Sequence, residues 1–180
     1  MRAVVTKLAI LTAVFVVSQS ALCDTIKVGE KPETVLFSNE VGARVDGSPW
    51  STESIKDRLW LLFYVAPSRR DDNEALKEAL KAENFPDEKL GSIAIINMAS
   101  TWVPNIILES ALKKNQERYP RTTYVKDFQK TLVNKWKLKD DSFEVVLFDR
   151  GGKVLLYRSG DFSPDQIKET IDLIKRNLST

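Results

Sequence analysis

LWLLFYV (residues 59–65), APSRRDD (66–72) and NEALKEALKAEN (73–84) follow one another without a break, and their reading decides the fold. The first run is almost wholly apolar and rich in leucine and aromatic residues, the composition of a strand covered on both faces. Pro67 ends it. In 72–84, Ala75, Leu76, Ala79 and Leu80 fall on one helical stripe with charges opposite. A covered strand, a short polar turn and an amphipathic helix together predict a βα unit. Ser68 stands three residues before Asp71, a capping-box spacing, and Asp71 or Asp72 are alternative caps for the same helix.

Downstream, SIAIINM (92–98) reads as a second core strand. A loop over 99–103 leads to Pro104, which suits the first turn of a helix running to about Arg118. Ile107, Leu108, Ala111 and Leu112 are its expected apolar face, and Tyr119-Pro120 ends it. TTYVK (122–126) is a strand by its β-branched and aromatic content. Asp127 is placed to cap a short helix over 128–136 that buries Leu132, Val133 and Trp136. FEVVLF (143–148) is the third core strand; Asp149-Arg150-Gly151-Gly152 turns it into KVLLYR (153–158). Ser163-Pro164-Asp165-Gln166 starts a last helix whose stripe is Ile167, Ile171, Ile174 and Leu178.

Upstream, residues 33–38 and 43–45 read as short strands, and Ser51 caps one helical turn over 51–56. Trp50, Trp60 and Trp136 are expected in the core. The order is β-β, β-α-β-α-β-α, β-β-α. Interleaved helices imply a parallel centre, and the closing hairpin adds antiparallel edge strands.

Residues 1–23 are organised differently. Arg2 and Lys7 precede the apolar stretch LAILTAVFVV (8–17), and Ala21-Leu22-Cys23 puts small residues at a cleavage site. That is the plan of a secretory signal peptide, and the stretch is too short for a mature membrane span. The expected domains are therefore a signal peptide over 1–23 and one domain over 24–180. Taking Arg2 and Lys7 from the 27 basic residues leaves 25, against 25 acidic ones. Such a balanced surface offers no footprint for nucleic acid, and no membrane attachment is expected after cleavage. Cleavage also removes Cys23, the single cysteine, and the chain has no histidine. Thiol chemistry, imidazole metal sites and histidine base catalysis are thereby excluded from the mature chain. No cofactor, metal or catalytic residue is expected.

The element order, with two strands added at the start, resembles the thioredoxin-like fold as peroxiredoxin-type and TlpA-type secreted proteins use it: an α/β three-layer sandwich with a mixed sheet, parallel at its centre. VGEKP (28–32), FYVAPSRRD (63–71) and VVLFDRGGKVLLYRSGDFSPDQI (145–167) carry the resemblance. It places Ser68 and Asp71 where the two redox cysteines of such enzymes stand, and Phe143-Glu144 where they place a cis-proline. With neither feature present, dithiol oxidoreductase activity is not expected. SALKKNQERYP (110–120), NKWKLKDDS (134–142) and the stretch from Val145 to the last helix resemble more closely the YtfJ family of small periplasmic proteins. That family has a thioredoxin-like fold and no agreed activity; some members carry a transcriptional-regulator label, which a signal peptide and a balanced charge oppose here. The resemblance implies a periplasmic location.

What function survives must come from binding, of a protein, a peptide or a small anion, or from non-thiol chemistry at the Ser68–Asp71 turn. Ser68, Arg69 and Arg70 at a helix start suit a phosphate, sulfate or carboxylate, although a capped helix with solvated arginines paired to Asp71 and Asp72 is the plainer reading. The resemblance puts Trp102 and Phe143 on loops that hold an extended peptide in active relatives; core packing is the plainer reading for both. Asp140, Asp141 and Glu144 have no calcium-loop spacing and read as a solvated acidic loop. Lys113, Lys114 and Arg118 fall on the polar face of their helix.

Overall fold

The computed structural model describes residues 26–179, so the expected signal peptide and Cys23 lie outside the described residues. Six strands form the main sheet in the order β2-β6-β5-β4-β7-β8. β4 (Leu59–Val65), β5 (Leu90–Asn97) and β6 (Thr122–Asp127) run parallel at its centre. β2 (Gly42–Arg44) lies antiparallel on β6 at one edge. β7 (Phe143–Phe148) lies antiparallel on β4, and β8 (Val154–Ser159) on β7 at the other edge. The closing hairpin thus contributes one interior strand and one edge strand, not two edge strands. A separate two-stranded ribbon joins β1 (Leu36–Phe37) to β3 (Trp50–Ser51), a pairing the sequence reading missed.

The expected helices are α1 (Glu74–Glu83), α2 (Asn105–Arg118), α3 (Thr131–Trp136) and α4 (Pro164–Leu178). Both crossovers, β4-α1-β5 and β5-α2-β6, step the same way across the sheet, so right-handed connections put α1 and α2 on one face. Leu76 of α1 and Ile174 of α4 are fully buried there with Leu61, Val65, Phe143 and Leu147. On the other face α3 and the β1–β3 ribbon cover Leu62, Tyr64, Ile93, Ile95, Val125 and Val146, with Trp50 and Trp136 buried among them. The alternation of strand side chains thus builds two cores, one on each side of one sheet.

Ser163 caps α4 in a full capping box, its side chain accepting from Gln166 N while Gln166 Oε1 accepts from Ser163 N at 2.9 Å. Ser51 accepts from Glu53 N at the start of a single 3-10 turn, as expected. Trp60 departs from expectation. Its ring is half-buried, stacked under the Arg58 guanidinium at 4.1 Å to the centroid, with Nε1 donating to the Lys56 carbonyl. Gly91 in β5 faces that ring: a Cβ there would meet two ring carbons at 2.4 Å, so only glycine fits.

Candidate functional site

The parallel strands all end at one edge of the sheet, where β7 begins and β8 ends. This is the end at which open α/β sheets place their ligands. Five loops meet there: residues 66–73, 98–104, 128–130, 137–142 and 160–163.

Ser68 lies in a 3-10 turn, Pro67–Arg69, directly after β4. It caps nothing. Its hydroxyl donates to Asp141 Oδ1 at 2.5 Å, across 73 residues of chain. Arg69 Nε approaches the same oxygen at 3.8 Å and Arg69 Nη1 is 4.0 Å from Asp72, while Arg70 Nε is 3.3 Å from Asp71. Helix α1 begins later, at Glu74, after Asn73 has turned left-handed at φ 59°. The expected capping box over Ser68–Asp71 does not form, nor do Asp71 or Asp72 cap the helix. The chain spends residues 70–73 reversing direction, and Asn73 turns its side chain outward to the neighbouring loop. Its Nδ2 donates to the Gly160 carbonyl at 3.0 Å, and Phe162 N donates to its Oδ1 at 2.8 Å. Arg69 and Arg70 therefore stand four or more residues before the helix, each beside a carboxylate, and share no helix-terminal anion cradle.

Beneath the Ser68 turn, polar side chains fill the end of the second core. Asn97, last in β5, donates from Nδ2 to both the carbonyl and Oδ1 of Asp140, at 3.0 and 2.8 Å. Lys130 Nζ meets the other Asp140 oxygen. That hydrogen bond, with the one from Asn97, holds the Asp140 carboxyl below its usual range against the opposing effect of desolvation. Asp127, fully buried, accepts the Tyr64 hydroxyl at 3.1 Å and the amides of Thr131 and Leu132 at 2.9 and 3.2 Å. The sequence anticipated Asp127 as the cap of a helix over 128–136; the helix instead starts at Thr131 after a left-handed Lys130, and Asp127 reaches its first two amides from outside the cap position because residues 128–130 turn before the helix begins. Burial, then the Asp127 charge, pushes the Tyr64 hydroxyl far above the usual phenol range.

The acidic segment is not one solvated loop. Asp140 faces Lys130 and Asn97, Asp141 faces Ser68, and Glu144 is fully buried with Oε1 accepting from Ser159 at 2.8 Å. Strand alternation separates them, because Glu144 sits opposite Tyr64 inside the sheet. Glu144 Oε2 and Asn97 Oδ1 have no hydrogen-bond partner among the described residues. No group of three or more acids, histidines or cysteines is arranged for a metal ion among these residues.

Phe143 and Trp102 part company. Phe143 is buried against Phe63, ring edge to face at 5.8 Å, as core packing requires. Its peptide bond, like every other among the described residues, is trans. Trp102 is 92% exposed and neither packs in the core nor meets Phe143. The structure thus brings Ser68 and Arg69 to Asp141, leaves Arg70 and Asp71 with each other, and sets Trp102 apart. Sequence reasoning missed Asn97, Lys130 and Asp140 as one unit. An asparagine closing the apolar run SIAIIN was the available signal.

Residues 17–177 match the family described as "Bacterial protein of unknown function (YtfJ_HI0045)". "Uncharacterized protein YtfJ" of Escherichia coli (strain K12) is 23% identical, over 85% of this chain and 83% of its own. A protein of Haemophilus influenzae is also 23% identical, over 83% of this chain and 81% of its own. Among solved structures, BsSco of the Sco family of cytochrome c oxidase assembly proteins has a TM-score of 0.59 at 17% identity, covering 86% of this chain and 97% of that one. The pneumococcal lipoprotein thioredoxin Etrx1 has a TM-score of 0.58 at 13% identity, covering 78% and 98%. A thiol-disulfide isomerase from Corynebacterium glutamicum has a TM-score of 0.58 at 15% identity, covering 81% and 97%. At such identities the likeness fixes the thioredoxin-like fold and no activity. The family match spans nearly the whole chain, and the chain belongs to the YtfJ_HI0045 family of bacterial proteins.

Proposed function

We propose that this chain is a secreted, periplasmic protein that binds a protein or peptide partner and does no thiol chemistry. The observation that carries the reading is the Ser68–Asp141 hydrogen bond. At the turn where the resemblance places the first redox cysteine, a hydroxyl is tied to a carboxylate, and no sulfur nucleophile follows it. A serine hydroxyl held by a carboxylate alone, with no histidine in the chain, lacks the base that would make it a nucleophile near neutral pH. A small anion is the weaker ligand, because Asp141, Asp72 and Asp71 already stand beside the two arginines.

Two assays test this. Insulin reduction by the mature chain is expected to be blank, and fractionation is expected to recover it with periplasmic markers. A panel of ester, phosphate and glycoside substrates separates binding from non-thiol catalysis. Turnover that disappears in Ser68→Ala would overturn the binding reading in favour of an enzyme at this turn.

A further inference from the structure

Residues 139–141 cross the end of the sheet between two buried anchors. Leu138 on one side lies in the second core, and Ser142 on the other is buried and accepts from the Ala66 amide at 3.0 Å. Between them Lys139 and Asp141 are exposed, Asp140 is half-buried, and none of the three belongs to a helix or strand. The span adds no apolar side chain to either core. What holds it is polar.

Its two carboxylates reach in different directions. The carbonyl and Oδ1 of Asp140 accept from Asn97 Nδ2 at 3.0 and 2.8 Å, and its Oδ2 meets Lys130 Nζ at 2.5 Å. Asp141 turns to the loop after β4, where its Oδ1 accepts from Ser68 at 2.5 Å with Arg69 Nε 3.8 Å away. Asp72 also stands beside Arg69, and Asp127 is committed to Tyr64 and to the amides of α3. Both ion pairs of the span are open to solvent: the side chains of Lys130 and Asp140 are 36% and 43% exposed, those of Arg69 and Asp141 48% and 60%. Pairs so exposed contribute little each. A span held by such contacts, without apolar burial of its own, belongs to the part of a fold that opens first.

Asn97 lies underneath and is fully buried. Its Nδ2 is taken by Asp140, whereas its Oδ1 has no partner among the described residues. Turning the amide over would set Oδ1 against the Asp140 carbonyl and carboxylate, so its neighbours fix its orientation. The closed arrangement thus keeps a buried acceptor unpaired, a penalty that disappears once water reaches the amide.

We propose that residues 139–141 form a strap that lifts while the rest of the fold stays closed, and that the charges of Asp140 and Asp141 set how often it does. Lifted, it gives to solvent the Asn97 amide, donor and acceptor together, and frees the Lys130 ammonium, at the end of the sheet where open α/β folds take their ligands. Closed, it is a cover held by charge over groups otherwise able to bind. The device needs no ligand and stands apart from the reading of the chain as a binding protein.

Exchange of the Asn97 side-chain amide protons with solvent, followed by NMR on the mature chain alone, tests the proposal. Asp140→Asn with Asp141→Asn keeps the shape of the strap and removes both charges. It is expected to speed Asn97 Nδ2 exchange about tenfold and to leave the Thr131 and Leu132 amides, held by Asp127, at their parent rates. Lys130→Gly with Ser68→Ala removes the same partners from the opposite side, with a glycine that suits the left-handed backbone at position 130, and is expected to give the same acceleration. Asp71→Asn removes a charge that pairs with Arg70 instead of the strap and is expected to change nothing. Asn97 exchange that keeps its parent rate in either double variant that folds overturns the proposal. So does exchange that quickens at Asn97, Thr131 and Leu132 alike, which would mean that the amide is released only by unfolding of the whole domain. An equal acceleration in Asp71→Asn overturns it too, since the effect would then belong to net charge and not to the strap.

Discussion

The Tyr64 hydroxyl donates to Asp127 Oδ2 at 3.1 Å, tying the central strand to the residue that also holds the first amides of α3. One carboxylate thus closes the end of the sheet and starts a helix on top of it. Tyr64→Phe removes a single buried hydrogen bond and is expected to cost about 1–2 kcal/mol. Asp127→Ala strips the acceptor from the amides of Thr131 and Leu132 as well, leaves buried donors unpaired, and is expected to cost roughly twice as much or more. Urea unfolding of both variants checks the order. Equal losses would mean that the carboxylate does not organise α3.

One buried phenol and two half-buried ones set the behaviour in alkali. Burial, then Asp127, raises the Tyr64 hydroxyl; burial, then Tyr119, raises Tyr124 to about 12; burial, then Glu144, raises Tyr157. The folded chain therefore holds these protons more tightly than the unfolded chain, whose tyrosines ionise near pH ~10. Stability is fully present below that pH and is lost as pH rises through the window from about 10 to about 12. Denaturant midpoints measured across that range are expected to fall steeply, and in a Tyr119→Phe chain, which lacks the exposed phenol, tyrosinate absorbance is expected to appear only as the chain unfolds. Tyrosinate that appears in the folded chain with the midpoint unchanged would contradict it.

Asn73 separates two effects in one residue. Its left-handed backbone penalises most side chains, and its amide clasps Gly160 and Phe162. Asn73→Gly keeps the backbone and loses the clasp, at about 1–2 kcal/mol. Asn73→Ala loses both and is expected to cost about 1–2 kcal/mol more. Calorimetric unfolding of the pair measures the difference directly. If glycine were the worse of the two, backbone strain would not be the governing cost.

A cysteine restored at the turn would still be a poor nucleophile. Ser68→Cys puts sulfur beside the Asp141 carboxylate, and a neighbouring negative charge disfavours the thiolate. Iodoacetamide labelling at neutral pH is expected to be slow in Ser68→Cys and several-fold faster in Ser68→Cys with Asp141→Asn. Similar rates would show that Asp141 does not govern this position.

The parts of the fold legible in the sequence were those where one local pattern and the tertiary environment agree. FEVVLF is a strand over the very residues expected, and Ser163 caps α4 in the motif its neighbours announce. The β1–β3 ribbon escaped notice because two residues per strand carry no period to read. The Ser68 cap failed because spacing cannot distinguish a helix start from a turn that precedes it by several residues. The polar unit of Asn97, Asp140 and Lys130 is assembled from the end of β5 and two separate loops, so no window of sequence contains it. Trp102 and α2 were misjudged for a related reason. Of the expected face Ile107, Leu108, Ala111 and Leu112, Leu112 is buried and Leu108 half-buried while Ile107 and Ala111 are exposed, because tertiary placement decides how much of an apolar stripe meets the sheet.

The meeting of Trp60 and Gly91 bears on how relatives diverge. A side chain at position 91 would drive into the indole ring, lift it from Arg58 and pull Nε1 from the Lys56 carbonyl. Substitution at either position is thus conditional on the other: where a relative carries alanine in place of this glycine, the opposing strand has to carry something slimmer than an indole. The two columns of an alignment are expected to covary, and Trp60→Val is expected to rescue a Gly91→Ala chain that is unstable alone.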